Sequence, residues 1–236
     1  MRKKPMLAYP VSNKSIDYNN KISIQPKLDG VRCVIQYDNS VVTAYSRTGK
    51  EWKNIDHILF NLKPWFALNP NVILDGELYN HDLKDNFEKI ISLVRKTKPT
   101  DLDRIESAEM VQFHCYDIID ETKVFEDRIE FISQNVPNGN CVSHVLTMQV
   151  HSDSEAKNIH DINLYNGYEG SIVRLNTEYQ CKRSHSLRKF KDFHDDEAMI
   201  LDWVEGKGKR KGTIGKFMAQ DSAGNIFGMP VMDKFD

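Results

Sequence analysis

The segment from Lys27 to Arg32 reads Lys-Leu-Asp-Gly-Val-Arg, which places a lysine beside a turn and an arginine just after it. A lysine amine is a nucleophile only when it is neutral, and burial or neighbouring cations favour that state by lowering its pKa. Asp-Gly is also a common turn pair, so the same residues suit a hairpin with a solvated lysine. Taken alone, the segment leaves a covalent nucleophile and a turn cation as alternatives.

Further charged residues recur at the predicted ends of strands downstream. The segments are SRTGK from Ser46, LDGE from Leu74, Tyr116-Asp117, EGSIVR from Glu169 and LRKFK from Leu187. Cations beside a lysine keep it neutral, and they also stabilise negative charge on a triphosphate under attack. The candidates for this role are Arg32, Arg47, Lys189 and Lys191. The combined pattern favours phosphoryl chemistry at Lys27 over a plain turn.

Alternation along strands groups some of these side chains. Asp75 and Glu77 are two residues apart, so they share one face of a strand, and Gly76 keeps the backbone between them close to a pocket. The same spacing predicts that Lys189 and Lys191 lie on one strand face and reach one triphosphate. The histidines show no metal-ligand spacing and receive no chemical role.

In this order the segments resemble the nucleotidyltransferase motifs shared by ATP-dependent DNA ligases, RNA ligases and mRNA capping enzymes, from about Lys27 to Phe193. The lysine motif does not separate these classes, but the flanks LDGELY, SRTGK, EGSIVR and LRKFK look most like DNA ligases of small viral or bacterial type. The resemblance implies sealing of 5′-phosphate/3′-hydroxyl nicks in duplex DNA with ATP. An RNA ligase and a nicked-DNA-binding module with impaired turnover remain alternatives.

The resemblance also implies individual roles. Lys27 matches the lysine that forms covalent lysyl-AMP, Tyr116 the aromatic on which adenine stacks, and Glu77 a carboxylate that contacts the ribose. Glu169, with Glu77, matches carboxylates near the metal, Mg²⁺ or Mn²⁺, and the phosphates. The phosphate-contacting positions are matched by Arg32, Arg47, Arg183, Lys189 and Lys191.

Composition places few limits on the partner. The formal net charge is −2, so a nucleic-acid footprint depends on local clustering. The segment Gly206–Lys216, GKGKRKGTIGK, carries five cations and no acid, which suits either a solvated loop or a phosphate-binding surface. The four cysteines form no metal or disulfide pattern, and no run is apolar enough for a membrane span. We expect a cytoplasmic monomer in a bacterium or infected host cell.

The elements predict an α+β fold. Strands are predicted over KISIQPKL, VRCVIQY and VVTAY, which form an antiparallel meander, and over NVILDGELY, MVQFHCYDII and CVSHVLTMQV. Helices are predicted over FEKIISLVRK and VFEDRIEFISQ, and a further helix opens with a capping box of Ser152 and Glu155 and ends near Gly167.

Two domains of unequal size follow from the resemblance. Residues 1–194 are expected to form an ATP-grasp-like nucleotidyltransferase domain of mostly antiparallel sheets with flanking helices. Residues 195–236 carry three strand-like runs that resemble the start of an OB-fold, but an OB-fold has five strands, so we expect an incomplete one. The family's last motif, which orients pyrophosphate, would lie in the missing part, and this predicts slow formation of lysyl-AMP.

Overall fold

The computed structural model describes residues 3–38, 40–139, 141–191 and 197–231. The chain divides into two compact units, Met1–Lys191 and Asp192–Asp236. The predicted domain boundary between residues 194 and 195 lies outside the described residues. Among the helices of the described ranges, none has an apolar stretch long enough to cross a bilayer.

The larger unit alternates irregularly between strands and helices. In chain order it runs β1 (Leu7–Pro10), β2 (Ile22–Pro26), β3 (Val31–Asp38), β4 (Val41–Tyr45), α1 (Asp56–Leu68), β5 (Ile73–Tyr79), α2 (Phe87–Val94), α3 (Asp101–Met110), β6 (Gln112–Ile118), α4 (Phe125–Asn135), β7 (Val142–His144), β8 (Met148–Val150), α5 (Asp153–Tyr165), β9 (Ser171–Leu175) and β10 (Arg183–Phe190).

The strands form two five-stranded sheets, ordered β1-β10-β9-β2-β8 and β4-β3-β5-β6-β7. Neighbouring strands are antiparallel except for the parallel pairs β1–β10 and β6–β7. Mixed, mostly antiparallel sheets with flanking helices confirm the predicted α+β class.

The predicted meander of three strands is wrong in one respect. β3 pairs with β4 as expected, but β2 pairs with β8 and β9 in the other sheet. The residues between β2 and β3 therefore carry the chain from one sheet to the other instead of closing a hairpin. The physical reason is that β2 and β3 each bury apolar side chains in a separate core, so local turn chemistry at Asp29-Gly30 does not decide their pairing.

The single strand predicted over CVSHVLTMQV is also wrong. It consists of two short strands, β7 beside β6 and β8 beside β2, which belong to different sheets. The residues between them, including the exposed Leu146, cross from sheet to sheet. A continuous β-prone run does not report such a change of partner, because each half alternates like an ordinary strand.

Apolar residues form three clusters. The largest packs α1, α2 and α4 against the second sheet, with Ile58, Leu62 and Phe66 of α1 fully buried. A second cluster covers the first sheet with α5. The third joins residues of both sheets, such as Val34 of β3 and Leu187 of β10, and holds the two sheets together beside the cavity described below.

Helix α5 begins as its sequence predicts, because the Ser152 hydroxyl accepts a hydrogen bond from the Glu155 N–H at 3.1 Å. The Glu155 carboxylate, however, accepts the N–H of His151 at 2.8 Å, so this is not the reciprocal capping box that was predicted. The helix ends before Gly167, whose φ of +84° is the left-handed conformation common after a helix.

The smaller unit has the three strands that its sequence predicts, β11 (Met199–Glu205), β12 (Ile214–Gln220) and β13 (Ile226–Pro230). They form an antiparallel sheet in that order. The basic segment Gly206–Lys216 makes the connection from β11 into β12, and a hydrogen bond from the Gly206 N–H to the Thr213 carbonyl closes it at 2.9 Å.

Candidate active site

A cavity of about 320 Å³ lies where the two sheets of the larger unit face each other. This is within the size range of a small-molecule site. The wall brings together most of the predicted site residues, namely Lys27, Arg32, Arg47, Glu77, Tyr116, Arg183 and Lys189. These residues come from segments far apart in the chain, and both sheets contribute to the wall.

Lys27 follows the last residue of β2 and remains attached to the segment that precedes β9. Its N–H donates to the Gly170 carbonyl at 2.9 Å, and the Glu169 N–H donates to the Lys27 carbonyl at 3.2 Å. The main chains of Lys27 and Glu169 thus extend the β2–β9 pairing. The Lys27 ammonium also forms an ion pair with the Glu169 carboxylate, and both side chains are about four-fifths buried, at 23% and 20% exposure.

The Glu169 carboxylate also accepts a hydrogen bond from the Lys191 ammonium, so two lysines share one carboxylate. Burial acts to raise the pKa of Glu169, but the hydrogen bonds from Lys191 and Lys27 outweigh it and hold that pKa below the ordinary value. Glu169 is therefore a stable anion in the centre of a cationic site.

The structure places Lys189 and Lys191, which the sequence predicts on one strand face, near the same lysine, Lys27. β10 ends at Phe190, and Lys191 lies one residue beyond it. Lys189 lines the cavity, whereas the Lys191 side chain binds Glu169.

Arg32 is held by a bidentate contact with Asp75, Nε to Oδ1 at 2.6 Å and Nη2 to Oδ2 at 2.5 Å. Its guanidinium carbon lies 5.2 Å from the centre of the Tyr116 ring, and that of Arg174 lies at the same distance. The phenol of Tyr116 donates to Glu77 at 3.2 Å. The side chains of Asp75 and Glu77 thus lie on one face of β5, as the alternation predicts.

Glu77 and Tyr116 form a half-buried, hydrogen-bonded pair. Burial raises the pKa of Glu77 to about 7, although the Arg32 charge opposes this. Burial likewise raises the pKa of Tyr116 well above its usual range, so the phenol stays neutral and remains a hydrogen-bond donor. Glu77 therefore titrates near neutral pH while Glu169 remains ionised.

The two remaining predicted arginines lie nearer to solvent. Arg47 is exposed on the loop after β4 and borders the cavity. Arg183, at the start of β10, donates to the Ala8 carbonyl, and its guanidinium carbon lies 5.6 Å from the Tyr9 ring centre. β1 thereby fixes the direction of Arg183.

Two further residues in the cavity wall were not predicted. Gln25 and Arg174 are joined by a 2.6 Å hydrogen bond from the arginine Nε, and Arg174 also binds the buried Asp117 at 2.7 Å. Gln25 donates to the carbonyl of Tyr116 at 3.2 Å. The sequence signal for Gln25 was its position two residues before Lys27, and Arg174 ends the EGSIVR segment. Their hydrogen-bond partners are distant in sequence, so no local sequence pattern predicts this network.

Among the carboxylates of this site, Glu169 is the one that best suits a divalent cation. Within the described residues, no group of three His, Cys, Asp or Glu side chains is arranged to hold a metal ion. Mg²⁺ usually binds one or two carboxylates and completes its shell with water and substrate phosphates, and the ionised Glu169 suits that arrangement. The raised pKa of Glu77 makes it the weaker ligand of the pair at neutral pH.

Comparison with known proteins agrees with this geometry. The model of the ATP-dependent DNA ligase domain matches residues 5–191. A DNA ligase of African swine fever virus (isolate Tick/South Africa/Pretoriuskop Pr4/1996) is 29% identical over 205 residues, which are 81% of this chain and 46% of the viral protein. A DNA ligase of Halobacterium salinarum (strain ATCC 29341 / DSM 671 / R1) is 26% identical over 235 residues, 90% of this chain and 40% of that protein. The chain spans less than half the length of these relatives.

Solved structures share the fold. A structure from a study of Lig E DNA ligases, described as DNA binding with a minimal scaffold, superposes with a TM-score of 0.79 at 22% identity, over 99% of this chain and 86% of that one. The Chlorella virus DNA ligase-adenylate superposes with a TM-score of 0.60 at 20% identity, over 98% and 83%. The family model covers most of the chain, and the nucleotidyltransferase motifs meet at one cavity. The chain belongs to the ATP-dependent DNA ligase family.

Proposed function

We propose that this chain seals nicks in duplex DNA with ATP, through a lysyl-AMP intermediate on Lys27. The observation that supports this most directly is the position of the Lys27 amine, in a cavity with Arg32, Arg183 and Lys189 and beside the Glu169 carboxylate. A nucleophilic amine within a group of fixed cations is suited to attack on a nucleotide phosphate.

The reaction has three phosphoryl transfers. The neutral Lys27 nitrogen, having lost its extra proton, attacks the α-phosphorus of ATP; a P–N bond forms and the bond to pyrophosphate breaks. The 5′-phosphate of the nick then attacks the same phosphorus, and the P–N bond breaks to release Lys27. The 3′-hydroxyl finally attacks the 5′-phosphorus and displaces AMP. Each step depends on positioning and charge stabilisation.

The side chains divide these tasks. Arg32, fixed by Asp75, and Lys189 stabilise charge on the phosphates, while Arg183 and Lys191 extend the cationic side of the site. Tyr116 offers a ring face for adenine. The Glu77 carboxyl accepts a ribose hydroxyl, and Arg47 at the exposed rim meets the 5′-phosphate of the nick.

A divalent cation, Mg²⁺ or Mn²⁺, would be held by Glu169, assisted by Glu77, and when bound it would neutralise charge on the phosphates. Glu169 also holds Lys27 and Lys191 before substrate arrives. We propose that it releases Lys27 when the site fills, which frees the amine for attack.

We further propose that the smaller unit is part of an OB-fold that contributes the basic segment Gly206–Lys216 to DNA binding. Its sheet of three strands and its exposed cations, such as Lys207 and Lys211, support that role. We propose action as a monomer, because one chain supplies the whole cavity wall. Four free cysteines support a reducing compartment such as the cytoplasm.

Incubation with α-labelled ATP and Mg²⁺ tests the central proposal. We expect a covalent label on the wild type, its loss in Lys27→Ala, and its retention in Lys63→Ala, which changes an exposed lysine of α1. A wild type that binds nicked DNA without taking up label would instead be a binding module. Slow labelling with efficient sealing of a pre-adenylylated nick is expected if the OB-fold is incomplete.

The substrate class needs its own comparison. Nicked DNA, nicked RNA and single-stranded RNA are offered at one salt concentration, because salt changes apparent preference among polyanions. We expect sealing of nicked DNA. Preferential sealing of RNA would assign the chain to RNA ligation.

A further inference from the structure

His160 is a buried histidine of α5, with an exposed fraction of 1%, to which the proposed reaction gives no task. Together with Ala156 and Asn163 it forms the buried stripe of that helix. A buried imidazole needs hydrogen-bond partners, and its ring is rigid, so its contacts show which parts of the chain it can hold in place. These contacts lead to two of the segments that form the site.

The first contact is with the segment that carries Glu169. Nδ1 of His160 lies 3.1 Å from the Ser171 hydroxyl, and the Asn163 amide donates to the same hydroxyl at 2.8 Å. A serine hydroxyl has one hydrogen and two acceptor positions, so its own hydrogen is available to Nδ1. Ser171 is fully buried and is the first residue of β9. His160 thus connects α5 to the main chain two residues beyond Glu169.

The second contact is with the last residue of β10. The rings of His160 and Phe190 are stacked, with centroids 3.8 Å apart and an angle of 8° between the planes. Stacked rings of this kind restrict each other's position. Phe190 lies between Lys189, which lines the cavity, and Lys191, which binds Glu169. One imidazole therefore contacts both segments that supply the charged groups of the site.

Gly170 shows how closely these segments are packed. A Cβ placed on Gly170 would lie 2.4 Å from the Phe190 carbonyl oxygen, 3.3 Å from Cε1 of His160 and 3.4 Å from Cα of Lys191. The Gly170 carbonyl in turn accepts the Lys27 N–H at 2.9 Å. Because a close-packed interior transmits displacements, a shift of the imidazole would reach the main chain of Lys27.

We propose that His160 is a positioning residue for the first step, the transfer of AMP to Lys27. This inference rests on the proposed function. Through Ser171 and Phe190 the imidazole sets the separation of the two charged segments, and with it the place of the Lys27 amine relative to the α-phosphorus. His160 is not in the described wall of the cavity, so we expect it to act on the rate without contacting ATP.

The test measures lysyl-AMP formation by rapid quench over a series of concentrations of α-labelled ATP. We expect His160→Leu, which removes both contacts, to lower the maximal rate about 10- to 100-fold. The ATP concentration for half the maximal rate should stay within about threefold of wild type, because the groups assigned to the nucleoside are unchanged. His160→Phe keeps the stack and His160→Asn keeps a polar atom near Ser171, so each should retain more of the rate than His160→Leu.

A double variant tests the hydrogen bond itself. His160→Phe and Ser171→Ala remove the same bond from opposite ends, so the double variant should lose no more of the maximal rate than the more affected single variant.

The stability of each variant is measured as well, because a buried residue can act through the fold. Ala156→Gly is the matched control, since it weakens the same helix and alters neither the Ser171 hydrogen bond nor the Phe190 stack. At a temperature where every variant is folded, Ala156→Gly should lower the free energy of unfolding and keep the maximal rate within about twofold of wild type.

Three results would overturn the inference. The first is a maximal rate in His160→Leu that equals that of wild type. The second is an equal decrease of rate in Ala156→Gly at the same loss of stability, which would give His160 a role in the fold alone. The third is independent losses from His160→Phe and Ser171→Ala that multiply in the double variant. A wild type that takes up no label would instead contradict the proposal for Lys27, so the two failures give different results.

Discussion

The Lys27 ammonium and the Glu169 carboxylate are joined twice, by an ion pair between side chains and by reciprocal hydrogen bonds between main chains. The main-chain bonds fix the spacing of the two residues independently of the charges. In the proposed reaction the two side chains can therefore separate when ATP binds, while the main-chain bonds keep the two residues in place. This relationship makes Glu169 the natural point at which to perturb the site.

Glu169→Gln should retain the fold and lose most of the first step. The amide keeps the size of the side chain but provides no anion for Lys27, Lys191 or a metal. We expect lysyl-AMP formation to fall about 100-fold, in line with the loss of a preorganised electrostatic contact. Rapid-quench labelling with α-labelled ATP measures the rate, and Glu109→Gln, an exposed change on α3, is the control. A rate within a few-fold of wild type would contradict the assigned role.

Glu77 should make stability depend on pH. Its pKa of about 7 in the folded protein lies above the ordinary 4.5, because burial disfavours the charged form. The folded protein retains this proton as pH rises from about 4.5 to 7, whereas the unfolded chain releases it, so stability falls across that window. In Glu77→Gln this decrease of stability with rising pH should disappear.

We therefore compare the free energy of unfolding of Glu77→Gln with that of wild type at two pH values. The difference between them should be about 1–2 kcal/mol more in favour of the variant at pH 8 than at pH 5. Urea unfolding at the two pH values measures the difference. Glu88→Gln, an exposed change on α2, should show no such gain. An equal effect of Glu77→Gln at both pH values would show that the carboxyl titrates normally.

Asp75→Asn should destabilise the protein strongly. Asp75 is fully buried, binds Arg32 through both oxygens and accepts the Tyr179 hydroxyl at 2.6 Å. The variant leaves a largely buried guanidinium without its counter-charge, which costs about 3 kcal/mol or more. Tyr179→Phe, which removes one hydrogen bond, should cost about 1–2 kcal/mol.

Thermal and urea unfolding distinguish these two values. Asp161→Asn on the exposed side of α5 is the control and should be nearly neutral. If Asp75→Asn were as mild as that control, the Arg32–Asp75 contact would not contribute to the fold.

Gly170→Ala should disturb both folding and catalysis. The φ of Gly170 is +145°, and an added Cβ would lie 2.4 Å from the Phe190 carbonyl oxygen. The segment that carries Glu169 would have to move, and displacements of this kind reduce rates by about 10- to 100-fold. The same labelling assay measures this loss.

Gly139→Ala is the matched control for that variant. Gly139 has φ of +139°, but no atom lies within 4 Å of its added Cβ, so only the backbone strain of about 1 kcal/mol remains. Equal labelling by the two alanine variants would mean that the contact with Phe190 is unimportant for the site.

Sequence alone was sufficient for the α+β class and for several elements. Helix α4 and strands β5, β6, β11, β12 and β13 form where hydrophobic period and turn residues predict them. These predictions succeed because helix and strand periods are local and each element buries one continuous face. Helices α1 and α3 were not predicted from the sequence. Helix α1 contains Pro64 and has no side-chain cap, so its local signals are weak.

The candidate site residues were also accessible from the sequence, because each lies within a short recognisable segment. Which of these residues contact one another could not be predicted from the sequence. Whether β2 pairs with β3 or β9 decides that Lys27 meets Glu169, and that choice depends on which core each strand buries. Likewise, only the structure shows that Lys191 binds Glu169 while Lys189 lines the cavity.

The buried network shows the same limit. Asp75, Arg174 and Gln25 acquire their partners from segments 43 to 149 residues away. Side-chain pairing over such separations follows from which strands become neighbours in a sheet, as β3 with β5 and β2 with β9, and from the packing of the two sheets, as for Arg174 and Asp117. No window of sequence reports either choice. The sequence by itself therefore determined the candidates for the chemistry and many of the local elements that hold them. Only the tertiary structure decided which of those residues touch, because contact between distant segments is set by which strands become neighbours in a sheet and by how the two sheets pack together.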